Sequence, residues 1–162
     1  MEGLLHTPRP ELALLEPAAA RSLAAGVNPD GHPWAAGYHP RVEPAVRRAD
    51  RGGGRPAAPA RALGSYQVIR RADGRVIGDV AFDGPPDAAG AVSVGCAISE
   101  DARMQGYATE ALGALLGWAR EQPGLTCVLA DTTCSDLAAQ RLLERVGMHR
   151  IGQDGELLYY ML

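Results

Sequence analysis

The stretch Ile98-Ser-Glu-Asp-Ala-Arg-Met-Gln-Gly-Tyr-Ala-Thr-Glu-Ala-Leu112 decides the fold of this chain. It has the pattern of a strand end, a short polar turn, an Arg-x-x-Gly-x-Ala loop and the first turns of an amphipathic helix. Such a loop presents a row of backbone N–H groups at the positive end of a helix dipole. Gly106 and Ala108 carry little side chain, so a large anion can approach the backbone, and Arg103 adds a positive charge. The pattern predicts a binding site for a diphosphate.

The helix that follows has a clear apolar stripe. Its small and apolar residues recur three and four positions apart, which is typical of a buried helix face. Gly113 and Gly117 lie within it and form a line of small residues with Thr109. We expect this line to let the helix lie close to a sheet. The stripe consists of Ala108, Ala111, Leu112, Leu115 and Ala119.

Length and composition restrict the class of protein. With 162 residues we expect one domain over residues 1–162, and a formal net charge of −3 argues against general nucleic-acid binding. The three cysteines are odd in number and lack Cys-x-x-Cys spacing, which favours reduced, buried thiols. There is no apolar run of membrane-spanning length, and charged residues occupy the N-terminal region. These features predict a cytoplasmic protein that does not bind membranes.

The remaining patterns predict a mixed α/β (α+β) fold with a mostly antiparallel sheet of about six to seven strands. Asp73-Gly74 is a strong hairpin signal, and Ala91–Ile98 alternates apolar and small residues as a strand does. The predicted elements of the N-terminal part are, in chain order, a strand at the apolar run Leu12–Leu15, a helix over 17–26, a short helix over 42–49 and a mobile loop over 50–61. They are followed by strands over 66–71, 75–82 and 91–98, a helix to about 122, a strand over 125–130, a helix begun by Ser135 or Asp136 and ended by Gly147, and a hairpin of strands 148–153 and 156–162.

This order, with the Arg-x-x-Gly-x-Ala loop between a strand and its helix, resembles the GNAT N-acetyltransferases. The resemblance covers most of the chain and is best from Tyr66 to Leu162. Three pieces are similar to the branch of ribosomal-protein N-terminal (alanine) acetyltransferases. They are Asp73-Gly-Arg-Val-Ile-Gly78, Gly106-Tyr-Ala-Thr-Glu-Ala-Leu112 and Leu142-Leu-Glu-Arg-Val-Gly-Met148.

The resemblance implies acetyl-CoA as co-substrate and no metal. In the family the pantetheine arm lies along a strand edge, which here is formed by Cys96, Ala97 and Ile98. The diphosphate lies on the loop after that strand, and an Asn at the start of the next helix, here Asp136, contacts the coenzyme. The implied loop residues are Arg103, Met104, Gln105, Gly106, Tyr107, Ala108 and Thr109.

Three positions depart from the family pattern. Ser93 occupies the place of a strand Glu that acts as base in many relatives, Asp136 replaces the Asn, and Leu143 stands where many members have a Tyr that protonates the leaving thiolate. We take Ser93 and Glu100 as catalytic candidates. Asp79, Asp83, His32 and His39 are further candidates for the base, and Trp34 and Tyr38 are candidates for the wall of the acceptor pocket.

The resemblance implies transfer of acetyl from acetyl-CoA to a primary amine of a small molecule or peptide, by direct attack in a ternary complex. Because a protonated amine is not nucleophilic, a base or a bound water is expected. The departures leave a second hypothesis open, a protein that binds acyl-CoA as a sensor or interaction module. A third hypothesis is another phosphate-containing ligand at the same helix start. Homodimers are frequent in the family, so a homodimer also stays open.

Overall fold

The computed structural model describes residues 4–28, 31–40 and 63–162. Within these ranges the chain forms eight strands, three α-helices and one short 3-10 helix. The predicted helix over 42–49 and the predicted loop over 50–61 lie outside the described residues. The elements are β1 (Leu4–His6), β2 (Pro10–Leu14), α1 (Pro17–Ala24), β3 (Ser65–Arg70), β4 (Arg75–Phe82), β5 (Ala91–Ile98), the 3-10 helix (Glu100–Ala102), α2 (Tyr107–Arg120), β6 (Cys127–Thr133), α3 (Leu137–Arg145), β7 (His149–Asp154) and β8 (Leu157–Met161).

All eight strands lie in one sheet with the order β1-β2-β3-β4-β5-β6-β8-β7. Every neighbouring pair is antiparallel except β5 and β6, which are parallel. The predicted α/β class and largely antiparallel sheet are therefore confirmed. The sheet has one strand more than the six to seven expected, because the three residues of β1 pair with the edge of β2.

Helix α2 crosses from β5 to β6 and covers one face of the sheet. It contacts β1, β2, β4 and β5. Burial of a leucine such as Leu112 or Leu115 contributes about 1.5–3 kcal/mol each. The buried side chains of this helix are Tyr107, Ala111, Leu112, Leu115, Leu116 and Ala119.

The expectation that small residues bring α2 close to the sheet is wrong for its two glycines. A Cβ placed on Gly113 or Gly117 would have no neighbouring atom within 4 Å. Gly117 is exposed, and Gly113 is only half-buried. The two glycines lie beside the buried stripe, which consists of Tyr107 and the buried leucines and alanines of the helix.

The two predicted hairpins are both present. Arg70 pairs with Asp73 in the turn between β3 and β4, with Nη2 and Oδ2 2.6 Å apart, and this hydrogen bond lowers the pKa of Asp73 to about 2. Strand β8 closes the second hairpin. Its alternation places Tyr160 in the core and leaves Tyr159 exposed on the opposite face.

No disulfide joins the three cysteines. The expectation of buried thiols rested on the apolar strand-like runs around Cys96 and Cys127 and is wrong in degree, since both are half-buried, while Cys134 is exposed. Cys134 lies in the exposed turn after β6, where Gln153 Nε2 approaches its sulfur to 3.5 Å.

Candidate functional site

The loop between β5 and α2 has two residues in the left-handed backbone region. Met104 has φ of 60° and Gly106 has φ of 84°. A left-handed conformation in a residue with a side chain is uncommon, and Met104 is also 94% exposed, so packing of its side chain does not explain it. Alternation of right-handed and left-handed residues turns successive N–H groups toward one side and forms a concave anion site.

The backbone N–H groups from Met104 to Thr109 have no acceptor among the described residues. The first intrahelical hydrogen bond runs from Glu110 N–H to the Gly106 carbonyl, at 3.1 Å. Gly106 is the N-cap residue of α2, and no side chain accepts a hydrogen bond there. Six consecutive donors, from Met104 to Thr109, thus lie at the positive end of a 14-residue helix. This arrangement suits an anion with several oxygens.

Arg103 stands at the start of the loop, as predicted, but its side chain turns back toward β5. Its Nε donates to the Ile98 carbonyl at 3.0 Å, and its Nη1 lies 3.8 Å from Glu100 Oε1. Glu100 extends into solvent, with 88% of its side chain exposed. The guanidinium therefore fixes the strand end while it keeps a positive charge beside the loop.

Strands β5 and β6 separate part of the way along β5. They pair from Ala91 to Ser93, opposite Cys127 to Leu129, whereas β5 continues to Ile98. Beyond Leu129, β6 keeps its pairing with β8 as far as Thr133. A wedge therefore opens between β5 and β6 on the side where β5 leads into the loop.

The register shows which groups of β5 face this wedge. Ser99 N–H donates to the Ile77 carbonyl, and Asp83 N–H donates to the Ser93 carbonyl. Because hydrogen-bonded pairs alternate along an antiparallel ladder, the odd-numbered residues between them, Ala97 included, direct their main chain toward β4. The main-chain groups of Cys96 and Ile98 point the other way, toward the wedge. Of the three predicted edge residues, Cys96 and Ile98 thus direct their main chain toward the wedge, where the Ile98 carbonyl accepts a hydrogen bond from Arg103 Nε.

The predicted acceptor side chains meet a buried carboxylate on β4. Tyr38 donates its hydroxyl to Asp79 Oδ2 at 3.0 Å, and Asp79 is 3% exposed. Trp34 contacts Tyr38 edge-on, with ring centroids 6.1 Å apart. The segment holding both aromatic residues runs beside the start of β4, where Ala35 N–H donates to the Val76 carbonyl at 2.9 Å.

Asp79 is the candidate base opposite the part of β5 that borders the wedge. It lies directly opposite Ala97, the neighbour of Cys96, and cross-strand partners share a sheet face. The other candidates lie elsewhere. Ser93 is in the part of β5 that pairs with β6, and Asp83 N–H donates to the Ser93 carbonyl. Glu100 lies beyond the end of β5. Of the two histidines, His32 has its Nδ1 3.2 Å from the Gly74 carbonyl, and His39 is exposed.

The two remaining departures from the family pattern have defined places. Asp136 is the N-cap of α3, and its Oδ1 accepts a hydrogen bond from Ala139 N–H at 2.9 Å. Leu143 is buried in the core, so an apolar group fills the position of the family's proton donor.

One side chain at the loop was not predicted from the sequence. Arg9, in the turn between β1 and β2, donates to the carbonyl of Gln105. The two residues are 96 positions apart, and no local motif marks Arg9 as part of this site.

Two further features are absent from the described residues. No helix there is long and apolar enough to cross a bilayer. In the same part of the chain, no group of three or more His, Cys, Asp and Glu residues is placed to hold a metal ion.

Comparison with solved structures supports the fold. The chain superimposes on a GNAT-family acetyltransferase from Bacillus anthracis with a TM-score of 0.65 and 15% identity, over 98% of this chain and 97% of that one. A ribosomal-protein-serine acetyltransferase-like protein from Vibrio cholerae gives a TM-score of 0.63 and 19% identity, over 99% and 97%. The microcin C7 self-immunity acetyltransferase MccE, solved with acetyl-CoA and AMP, gives a TM-score of 0.62 and 10% identity, over 96% of this chain and 93% of that one.

Sequence comparison identifies the family. The chain is 28% identical over 83 residues to an uncharacterized N-acetyltransferase, YjdG, of Bacillus subtilis strain 168, which corresponds to 51% of this chain and 49% of that protein. The match thus spans about half the length of this curated relative. The family model of the GNAT acetyltransferase domain matches residues 12–149. The chain therefore belongs to the GNAT family of acetyltransferases.

Proposed function

We propose that this protein transfers an acetyl group from acetyl-CoA to a primary amine by direct attack in a ternary complex. The observation that carries the proposal is the row of six backbone donors from Met104 to Thr109, at a helix start without a side-chain cap. A diphosphate offers enough acceptor oxygens to satisfy such a row. Family membership makes acetyl-CoA the diphosphate to test first.

The pantetheine arm would lie in the wedge between β5 and β6. The main-chain groups of Cys96 and the N–H of Ile98 would bond to its amides as a neighbouring strand does, while Arg103 holds the Ile98 carbonyl. This places the thioester in the wedge next to Cys96, whose neighbour Ala97 lies opposite Asp79. A β5 N–H directed at the thioester carbonyl would stabilise the oxyanion of the tetrahedral intermediate.

The acceptor must lose a proton before it attacks. An α-amine has a pKa of about 7.7–8.0 and a lysine-like amine about 10.4, so most of either is protonated at pH 7. We propose that Asp79, held by Tyr38, accepts this proton directly or through water. The amine nitrogen then bonds to the carbonyl carbon, the C–S bond breaks, and the thiolate leaves with the electron pair. The second amine proton neutralises the thiolate through solvent, since Leu143 cannot donate one.

The test is turnover with a panel of primary amines. CoA release should be quantified by chromatography after quenching, because thiol reagents would also react with the exposed Cys134. Asp79→Asn should lower kcat roughly 10²- to 10⁴-fold, the range of general-base catalysis, while the Kd for acetyl-CoA stays unchanged. Glu100→Gln is the matched control, because it also neutralises a carboxylate near β5, and it should change kcat less than about twofold. Loss of turnover in Glu100→Gln but not in Asp79→Asn would overturn the assignment of the base.

A second function is favoured by one observation, the buried Leu143 in place of a proton donor. A protein that binds acyl-CoA without turnover would serve as a sensor. Acetyl-CoA binding in calorimetry, with no CoA release across the whole amine panel, would favour it over the enzyme.

We further propose a cytoplasmic location, consistent with three cysteines that remain thiols.

A further inference from the structure

Arg9 reaches the diphosphate loop from the turn between β1 and β2. Its Nη1 donates to the Gln105 carbonyl at 2.7 Å, and its Nε and main-chain N–H donate to the two carboxylate oxygens of Glu110, at 2.5 and 3.2 Å. Its guanidinium carbon lies 4.9 Å from the centre of the Tyr107 ring, within cation–π distance. One arginine from a distant hairpin is thus bonded to both ends of the loop-to-helix junction.

The first contact orients a peptide plane. In a trans peptide the carbonyl and the following N–H point in opposite directions. Because Arg9 holds the Gln105 carbonyl, the N–H of Gly106 points away from the arginine. Arg9 Nη2 also lies 2.8 Å from the position that a Cβ on Gly106 would take, so the guanidinium closes this side of the loop.

The second contact controls a carboxylate. Glu110 lies in the first turn of α2, next to the N–H groups of the loop, and an acidic side chain there can itself bond to such donors. Its negative charge would also repel a diphosphate. In the structure Arg9 holds both carboxylate oxygens and neutralises the charge.

We infer that Arg9 is a positioning residue for the diphosphate loop. It fixes the Gln105–Gly106 peptide and keeps Glu110 away from the donors, so that the row of N–H groups is already aimed at the anion before binding. The identity of the ligand rests on the proposed function. The positioning role itself does not, since it applies to any diphosphate bound at this loop.

The experiment compares ligands with and without a diphosphate. Arg9→Gln should raise the Kd for CoA, and for ADP as a minimal diphosphate probe, roughly 10- to 100-fold, the range for hydrogen bonds of charged groups. KM for acetyl-CoA should rise similarly with little change in kcat, and kcat/KM for S-acetyl-pantetheine, which lacks the diphosphate, should change less than about twofold. Arg71→Gln is the matched control, because Arg71 holds the same turn through the Pro10 carbonyl at 3.4 Å.

A second variant separates orientation from charge. Glu110→Gln added to Arg9→Gln should recover part of the lost affinity, because the uncompensated carboxylate is removed. Equal loss with acetyl-CoA and S-acetyl-pantetheine, or equal loss in Arg71→Gln, would overturn the inference and indicate a general structural role. If the wild-type protein binds ADP but not CoA, the proposed function fails. The ratio of the Kd for ADP in Arg9→Gln to that in the wild type still decides the role of Arg9.

Discussion

Gly78 is a position where a single added methyl group should disturb both the sheet and the site. A Cβ on Gly78 would lie 2.2 Å from the Ala97 carbonyl oxygen and 2.6 Å from Ile98 Cδ1. The first obstacle is main chain, so the end of β5 must retreat by about 1 Å before ordinary contact is restored. Overpacking of this kind typically costs about 1–3 kcal/mol, and we expect about 3 because hydrogen bonds between β4 and β5 must also distort.

Gly78→Ala should therefore lower Tm by about 6–12 °C, since 1 kcal/mol corresponds to about 2–4 °C in a domain of this size. It should also weaken acetyl-CoA binding, because the displaced residues include those that face the wedge. The assays are calorimetric melting without ligand and isothermal titration with acetyl-CoA.

Gly117→Ala is the matched control. It makes the same chemical change in open space within a helix and should raise stability by up to about 1 kcal/mol. A Gly78→Ala protein that melts within 2 °C of the wild type and binds acetyl-CoA equally well would refute the reasoning.

Three further predictions concern single contacts. Leu112→Ala removes a side chain that is 1% exposed and should cost about 2–5 kcal/mol, measured by urea unfolding. Asp136→Ala removes the cap on Ala139 N–H and should cost about 0.5–2 kcal/mol in the same assay, whereas Asp136→Asn should retain most of the stability. Asp73→Asn tests a pH dependence. Because Arg70 lowers the folded-state pKa of Asp73 from 3.8 to about 2, its stabilising contribution is present above about pH 4 and is lost as the pH falls toward 2. Unfolding curves of Asp73→Asn and wild type should differ at pH 6 and converge at pH 2, and a constant difference across this range would contradict the assignment.

The parts of the fold that could be predicted depend on neighbours in sequence. The hairpin around Asp73-Gly74, the alternation of Ala91–Ile98 and the loop before α2 each have a local pattern with one good structural solution. The pattern around Gly113 and Gly117 has two solutions, because small residues suit both a close helix contact and an open surface. Periodicity alone does not distinguish them, and here the open surface is correct.

The parts of the site that could not be predicted depend on register. The pairing of Asp79 with Ala97 places a carboxylate beside the wedge, but a shift of one residue would turn it to the other face. The contact of Arg9 with Gln105 requires two strands and a helix to be in place first. Neither relation is encoded within a window of sequence, so both emerge only once the sheet order is known.

The short parallel seam between β5 and β6 has a consequence for how the chain can be divided. Strands β3, β4 and β5 are joined in sequence and pair with one another, and β6, β7 and β8 do the same within residues 127–161. Three residue pairs, the hydrogen bonds of Thr126 to the carbonyls of Ala89 and Gly90, and the contacts of helix α2 connect these two portions. A chain opened at the exposed residues Pro123 and Gly124 would keep every hairpin intact on its own fragment. This protein is thus suited to fragment complementation, and a ligand bound in the wedge as proposed would help to hold the two pieces together.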